Sequence, residues 1–247
     1  MKVEELAILI TGGARGIGGA TARLLAEGGA KVMITDVLDE EGVALAESLG
    51  PDVYYRRLDV TNPSDWEAAV AATEDAFGKL NALFNNAGIL HFAGVDDCTV
   101  DDFRQVQDIN VLGVFLGIKT CAPALRRAGG GAIVNNSSTA GMQGYAGIAA
   151  YVASKWAVRG LSKAAALDLA RDGIRVVSLH PGPIRTPMTE GLPRDIAETQ
   201  PLPRFGEPEE VAAMTRFLLC EATYTTGTEF VVDGGAIVGR LEAVRKD

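Results

Sequence analysis

Seven short runs rich in aliphatic residues punctuate this chain at nearly even intervals. They are "LAILIT" (6–11), "KVMIT" (31–35), "VYYRRLDV" (53–60), "LNALFNNAG" (80–88), "GAIVNNSS" (131–138), "IRVVSLHPG" (174–182) and "EFVVDGG" (229–235). Several are almost continuously apolar, the pattern of strands buried on both faces. Helical patterns lie between them. Asn62-Pro63 opens one whose Trp66, Val70 and Phe77 share a face. Others run over about 100–127 and 149–172. Alternating strand and helix predicts an α/β fold: a doubly wound parallel sheet of about seven strands, helices on both faces, joined by right-handed crossovers. Linkers and internal repeats are lacking, so residues 1–247 read as a single domain.

Composition narrows the function classes. The 23 basic and 32 acidic residues leave a net charge of −9. That argues against a nucleic-acid partner and against an anionic membrane surface. Three scattered cysteines (98, 121, 220) and two histidines (91, 180) give neither a disulfide framework nor a metal-ligand spacing, so a metal site is not expected. No stretch approaches the ~20 apolar residues of a membrane span, and the N-terminal apolar run is too short for a signal peptide. The expectation is a cytoplasmic protein.

Glycine is abundant, at 29 residues, and four glycines punctuate the turn after the first strand. Thr11-Gly12-Gly13-Ala14-Arg15-Gly16-Ile17-Gly18 leads into the helical "GATARLLAEGGA". Glycines at 12, 16 and 18 permit a tight turn and close approach of backbone to a pyrophosphate, at a helix N-terminus that offers free N–H groups. The second strand ends in Asp36, 18 residues past Gly18 and near the ~20 expected of an acid that bonds a ribose 2′-hydroxyl. A carboxylate there repels a 2′-phosphate, which favours NAD over NADP. Arg15 pulls the other way and is outweighed by an acid at the ribose itself. Asp36 could instead cap the next helix, but Asp39 is the better cap candidate.

Six of the ten prolines fall between Pro181 and Pro203. Segments this long and proline-rich are commonly functional lids. Residues 184–206 therefore read as a substrate lid, following the carboxyl end of a strand where open α/β sheets bind ligands. "AAYVASKWAV" (149–158) places Tyr151 and Lys155 on one face of a helix. By spacing alone that pair is either a snorkelling lysine at a helix edge or chemistry.

The motifs occur together in one order: "TGGARGIG" (11–18), "LDV" (58–60), "NNAG" (85–88), Asn110, "SS" (137–138), "YVASK" (151–155) and "HPGPIRT" (180–186). Over essentially its full length the chain resembles the short-chain dehydrogenase/reductase family, and within it the bacterial 3α/20β-hydroxysteroid dehydrogenase group. The resemblance implies a Rossmann-like domain carrying its own substrate pocket. It implies that Gly12, Arg15, Gly16, Ile17, Gly18 and Asp36 bind NAD. Asp59 and Val60 would flank the adenine, with Asn85, Asn86, Ala87 and Gly88 along the cofactor. Pro181, Gly182, Ile184 and Thr186 would lie at the nicotinamide, with Tyr151 and Lys155 beside it.

The chemistry implied is hydride transfer between a secondary alcohol and a ketone. Tyr151 would be the acid/base, drawn below its usual pKa of ≈ 10 by the Lys155 ammonium. Ser138 would polarise the substrate oxygen, and Asn110 would hold a water in a proton relay. Ser137 is the alternative to Ser138, but its side chain should face the other way. His180 reads as structural. An apolar residue is usual where Asn136 stands, so Asn136 either packs on a polar neighbour or contacts ligand. Residues 139–147, His91, Phe92, Met188 and Leu192 would form a mostly apolar wall suited to a hydrophobic ketone or secondary alcohol, with a hydroxysteroid the candidate that the resemblance implies. A 3-oxoacyl-carrier-protein reductase should prefer NADPH and carry a basic patch, against Asp36 and the net charge. A non-enzymatic NAD-binding regulator should lose the Tyr/Lys pair, which is intact. Family analogy implies a homotetramer built through 100–127, 149–172 and the C-terminal region.

Overall fold

The computed structural model describes residues 1–198 and 200–239. Seven parallel strands form one sheet in the order β3-β2-β1-β4-β5-β6-β7: β1 (Ala7–Thr11), β2 (Lys31–Asp36), β3 (Val53–Arg57), β4 (Ala82–Asn85), β5 (Gly131–Asn136), β6 (Ile174–Pro181) and β7 (Glu229–Val232). The order reverses between β1 and β4. Sheets of this type bind ligands in the crevice at that switch point, beyond the carboxyl ends of the strands.

Alternate strand residues feed two cores, as the period of two requires. Leu9, Leu83, Ile133 and Val176 face α3 (Pro63–Phe77), α5 (Gly113–Arg127) and α6 (Ala149–Leu169), packing with Trp66, Leu125 and Val158. Ile8, Ile10, Val134 and Leu179 face α1 (Gly16–Glu27), α2 (Asp39–Leu49) and α7 (Pro208–Cys220), packing with Leu25, Leu45 and Leu218. Full burial of such a side chain is worth roughly 1.5–3 kcal/mol, and residues of this kind supply the continuous apolar runs of the sequence. Asn62 caps α3 as expected, its Oδ1 accepting from the Ser64 N–H, with Pro63 opening the helix.

The expected helix over 100–127 is continuous but not uniform. α4 (Val100–Gln107) and α5 are joined by a wider π turn at Asp108–Leu112, which contains Asn110. Such turns insert one residue into a helix and re-aim a side chain. By length and mean hydropathy (1.3) this helix passes the composition test for a membrane span, contrary to expectation, yet 56% of that stretch is buried within the fold. That is the behaviour of a core helix.

Several boundaries differ from the sequence expectation. β3 ends at Arg57 rather than 60, because Asp59 turns the chain, its carboxylate accepting from the Thr61 N–H. β4 covers 82–85 rather than 80–88, because Asn86 leaves the sheet to donate its N–H to Thr11 Oγ1. Asp39 does not cap α2. It is the first helical residue, held instead by the Tyr55 hydroxyl and Arg57. Asp36 takes the N–H groups of Val37 and Leu38. The C-terminal residues expected to join an oligomer contact lie, from 240 onward, outside the described residues.

Candidate active site

A cleft of about 510 Å³ runs along the carboxyl ends of the strands, from Asp36 at one end to Tyr151 and Lys155 at the other. It is lined by Gly12, Arg15, Gly16, Ile17, Asp36, Asp59, Val60, Asn86, Ala87, Gly88, Ser138, Tyr151, Lys155, Pro181, Gly182, Ile184 and Thr186. Of the expected cofactor residues, Gly18 alone among those bound to the glycine turn lies beneath the surface rather than on it. A Cβ on Gly18 would overlap the Gly12 carbonyl oxygen, so only glycine permits the turn to fold this tightly onto the start of α1. Gly12 itself holds a φ of 60°.

The turn is braced on both sides. Thr11 Oγ1 accepts from the N–H groups of Asn86 and Ala87 at 3.0 and 3.1 Å. The Asn86 amide donates to the carbonyls of Thr11 and Gly12. Those two carbonyls fix the orientation of Asn86, whose Oδ1 must then accept, and it does so from Asn136 Nδ2 at 2.9 Å. This resolves Asn136: it packs on a polar neighbour. Asn136 lines the cleft, and its own Oδ1 is buried without a hydrogen-bond partner among the described residues. Asn85 departs from expectation. It ends β4 facing the other core, donating to Asn135 Oδ1 at 2.8 Å, because successive strand residues point to opposite faces.

Asp36 is set in place by three backbone donors: Ala14 N–H on Oδ2, and the N–H groups of Val37 and Leu38 on Oδ1. The fixed carboxylate keeps lone pairs free for a pair of hydroxyls. The glycine cradle, the α1 N-terminus and the anchored Asp36 carboxylate together match the pyrophosphate and ribose of a dinucleotide.

At the far end, α6 presents Tyr151 and Lys155 one turn apart. Lys155 is buried and its Nζ donates to the Asn136 carbonyl at 2.9 Å, lying 5.4 Å from the centre of the Tyr151 ring. Burial lowers the lysine pKa to about 8. Burial also pushes the Tyr151 phenol up to about 12, with the Ser138 hydroxyl pulling it back down and Tyr145 adding a small upward push. In the free protein burial therefore outweighs the part of the lowering expected from the Lys155 ammonium. Its ammonium sits over the ring and on a carbonyl, and burial dominates.

Ser138 Oγ accepts from the Ala140 N–H at 3.1 Å, which leaves its own proton to donate. Ser137 is turned away as expected: its Oγ donates to the Lys155 carbonyl. Asn110 does not line the cleft. Its Oδ1 accepts from Ile89 N–H, and its Nδ2 donates to Ile89 O and Ser154 Oγ. Gly88 lies between it and the lysine: a Cβ there would stand 3.1 Å from Asn110 Oδ1 and 3.5 Å from Lys155 Nζ. Glycine at 88 therefore lets Asn110 and Lys155 approach from its two sides. His180 is fully buried and neutral in character, its pKa lowered by burial.

The expected substrate wall is only partly assembled. Met188 lines the cleft. Leu192 instead lines a separate polar hollow with Arg185 and Arg204. His91 pairs with Asp102 at 3.6 Å, and Phe92 is largely exposed. Within 139–147, Thr139–Gly141 form a short 3-10 turn and the Tyr145 hydroxyl donates back to Thr139 Oγ1; neither residue lines the cleft. The sequence reading missed Val37, Leu38, Ile89, Leu90 and Ile109, which also line the cleft. Val37 and Leu38 could have been found as the residues directly after Asp36. Ile109 could not, because the π turn that aims it is invisible in the periodicity.

Comparison with known proteins agrees with this geometry. Residues 12–236 match the family model described as enoyl-(acyl carrier protein) reductase. The chain is 46% identical to the 3-alpha-(or 20-beta)-hydroxysteroid dehydrogenase of Mycobacterium tuberculosis (strain ATCC 25618 / H37Rv), over 94% of this chain and 89% of that protein. It is 44% identical to the trans-4-hydroxycyclohexanecarboxylate dehydrogenase of Sinomonas cyclohexanicum, over 96% and 95%. It is 41% identical to the cyclohexanol dehydrogenase of Acinetobacter sp. (strain SE19), over 94% and 95%. A parallel sheet with this switch point, a glycine cradle beneath it, and a family match spanning nearly the whole chain place the protein in the short-chain dehydrogenase/reductase family, whose dehydrogenases use a nicotinamide cofactor.

Proposed function

We propose that this enzyme is an NAD-dependent dehydrogenase that interconverts a hydrophobic cyclic secondary alcohol and its ketone. One observation carries the reading: Ser138, Tyr151 and Lys155 line one end of a single cleft whose other end is closed by the anchored Asp36. In alcohol oxidation the substrate hydroxyl sits between Ser138 Oγ and the Tyr151 phenol. Ser138, already accepting from Ala140, donates its proton to the developing oxyanion. Tyr151 takes the hydroxyl proton as general base. Lys155 holds positive charge beside the phenol, and Asn110, on the far side of Gly88 from Lys155, is the residue that would hold a relay water. Bound there, an oxidised nicotinamide supplies the hydride acceptor and a second positive charge. Met188 and the segment 184–206 close over the substrate as a lid; the bridge between Ile184 and Gly206 ties its two ends together.

The substrate class draws support from relatives named for hydroxysteroids, cyclohexanol and cyclopentanol. The name of the family model, enoyl reduction, is not the reaction proposed. Assays following NADH formation with cyclohexanol, cyclopentanol and a 3α-hydroxysteroid test the reading. Turnover of a ring alcohol is expected, and inactivity toward all three would overturn it.

Cofactor choice follows from Asp36. We expect kcat/KM with NAD to exceed that with NADP at least tenfold, and Asp36→Ala to narrow the gap. Comparable values for the two cofactors in the wild type would sink the preference.

We also propose a homotetramer. Phe103, Leu112, Phe115 and Trp156 are exposed large apolar side chains on α4, the π turn, α5 and α6, the segments through which family analogy builds a tetramer. Light scattering on the purified enzyme should give four times the 25.9 kDa chain mass, and a monomer would refute the assignment. Three free cysteines, two of them buried, fit a reducing cytoplasmic setting.

A further inference from the structure

We propose that His180 is a positioning residue that holds the catalytic serine in register. The inference rests on the reading of Ser138 given above. His180 and Ser178 lie two apart on β6, and so share one face of the sheet. That face also carries Val176, which packs in the core with Val158 of α6. His180 is fully buried. One ring nitrogen, Nδ1, lies 2.9 Å from the Ser138 carbonyl oxygen; the other, Nε2, lies 2.9 Å from Ser178 Oγ.

The partners fix the tautomer. A carbonyl oxygen only accepts, so Nδ1 carries the proton and donates it to Ser138. Nε2 of the neutral ring then accepts, and the Ser178 hydroxyl donates to it. The imidazole is thus oriented at one end by Ser178 and spends its single N–H on the serine backbone.

That bond falls where the chain needs it. Ser138 follows the end of β5, in extended conformation, and opens a short 3-10 turn at Thr139–Gly141. Its carbonyl also accepts from the Gly141 N–H at 2.9 Å, and its Oγ accepts from Ala140. Neighbouring Ser137 is fixed as well, its N–H donating to the Leu179 carbonyl at 2.7 Å. His180 is the one side chain from β6 that reaches across to Ser138 itself. Without it the serine carbonyl keeps the turn bond alone, and the peptide plane that sets the Oγ direction is freer to tilt. Catalytic groups lose rate steeply with small displacements, roughly 10²-fold for 1 Å.

Three substitutions separate positioning from bulk packing. Asn at 180 places an amide N–H near the position of Nδ1 and keeps the bond to Ser138. Gln extends its amide past that point, and Leu removes both bonds. We expect His180→Leu to lower kcat roughly ten- to hundredfold, with KM for NAD and NADH affinity by fluorescence within about twofold. His180→Asn should recover most of the lost kcat, and His180→Gln should not. Wild-type kcat in the leucine variant, or equal losses in the asparagine and leucine variants, would overturn the proposal. Should the leucine variant not fold, equal kcat in the asparagine and glutamine variants would do the same. Ser138→Ala, measured alongside, tests the underlying reading separately: wild-type turnover there removes Ser138 from the mechanism whatever the histidine series shows.

Discussion

Replacing Tyr151 by phenylalanine should lower kcat about a thousandfold, equivalent to about 4 kcal/mol of transition-state stabilisation, while NADH affinity stays within about threefold. The phenol is the group in the cleft placed to exchange a proton with substrate oxygen at the Ser138 end, and general acid–base catalysis of this kind is typically worth 10²–10⁴. The ring remains in the variant, so packing against Lys155 changes little. Stopped or steady-state turnover paired with a fluorescence titration of NADH reads both halves. The wild type adds a pH test. Burial holds the phenol up to about 12 in the free protein, so the proton-accepting form is scarce near neutrality. Alcohol oxidation should therefore rise as pH increases, and ketone reduction, which needs the protonated phenol, should not. Near-wild-type turnover in the phenylalanine variant would remove Tyr151 from the reaction.

Lys155→Met should do two opposite things: cut kcat about a hundredfold and make the fold more stable. The first follows from losing the charge beside Tyr151, and it should also raise the alkaline limb of the pH–rate profile. The second follows from burial. An ammonium whose pKa falls from 10.5 to about 8 on folding is disfavoured in the native state by about 3 kcal/mol. Between those values the unfolded chain holds the proton that the folded chain has released, so wild-type stability climbs as pH rises from 8 to 10.5. Tyr151 acts in the reverse sense above pH 10, where only the unfolded chain ionises its phenol. In the methionine variant the rise between pH 8 and 10 should flatten, and the melting temperature at pH 7 should increase by several degrees. A lower melting temperature with an unchanged pH dependence would show that the bond to the Asn136 carbonyl outweighs the cost of burial.

Much of this architecture was readable before any coordinates. The inner runs are legible as strands because a parallel sheet covered on both sides demands apolar residues along β1 and β4, which are buried throughout, whereas the edge strands β3 and β7 are partly exposed and carry Arg56, Arg57 and Glu229. The glycine turn and Asp36 were readable for a similar reason: few residue types tolerate those backbone positions. Tertiary choices were not. Asp39 has the chemistry of a cap for α2, but the helix starts at Asp39 itself, and its carboxylate is taken by the Tyr55 hydroxyl and Arg57 across the sheet edge. Asn85 and Asn86 are adjacent and chemically identical, and only the register of β4 against β5 decides which faces the cleft. The pKa of Tyr151 depends on how deeply its helix is set, which spacing cannot report. The same is true of His180, whose partner is forty-two positions away in sequence and adjacent only because β5 and β6 are neighbours.

The reversal of strand order between β1 and β4 also bears on how the molecule is made. Ile8 lies opposite Ala82, so β1 must wait for β2, α2, β3 and α3 to be synthesised before it gains its second neighbour. Until then the glycine turn has lost both of its braces from Asn86, and the crevice has one wall. Folding that depends on such distant pairing is slow. A dinucleotide recognises only the completed crevice, and it shifts the equilibrium toward the finished fold by mass action. A larger supply of cofactor should then favour completion of newly made chains as well as turnover by finished enzyme.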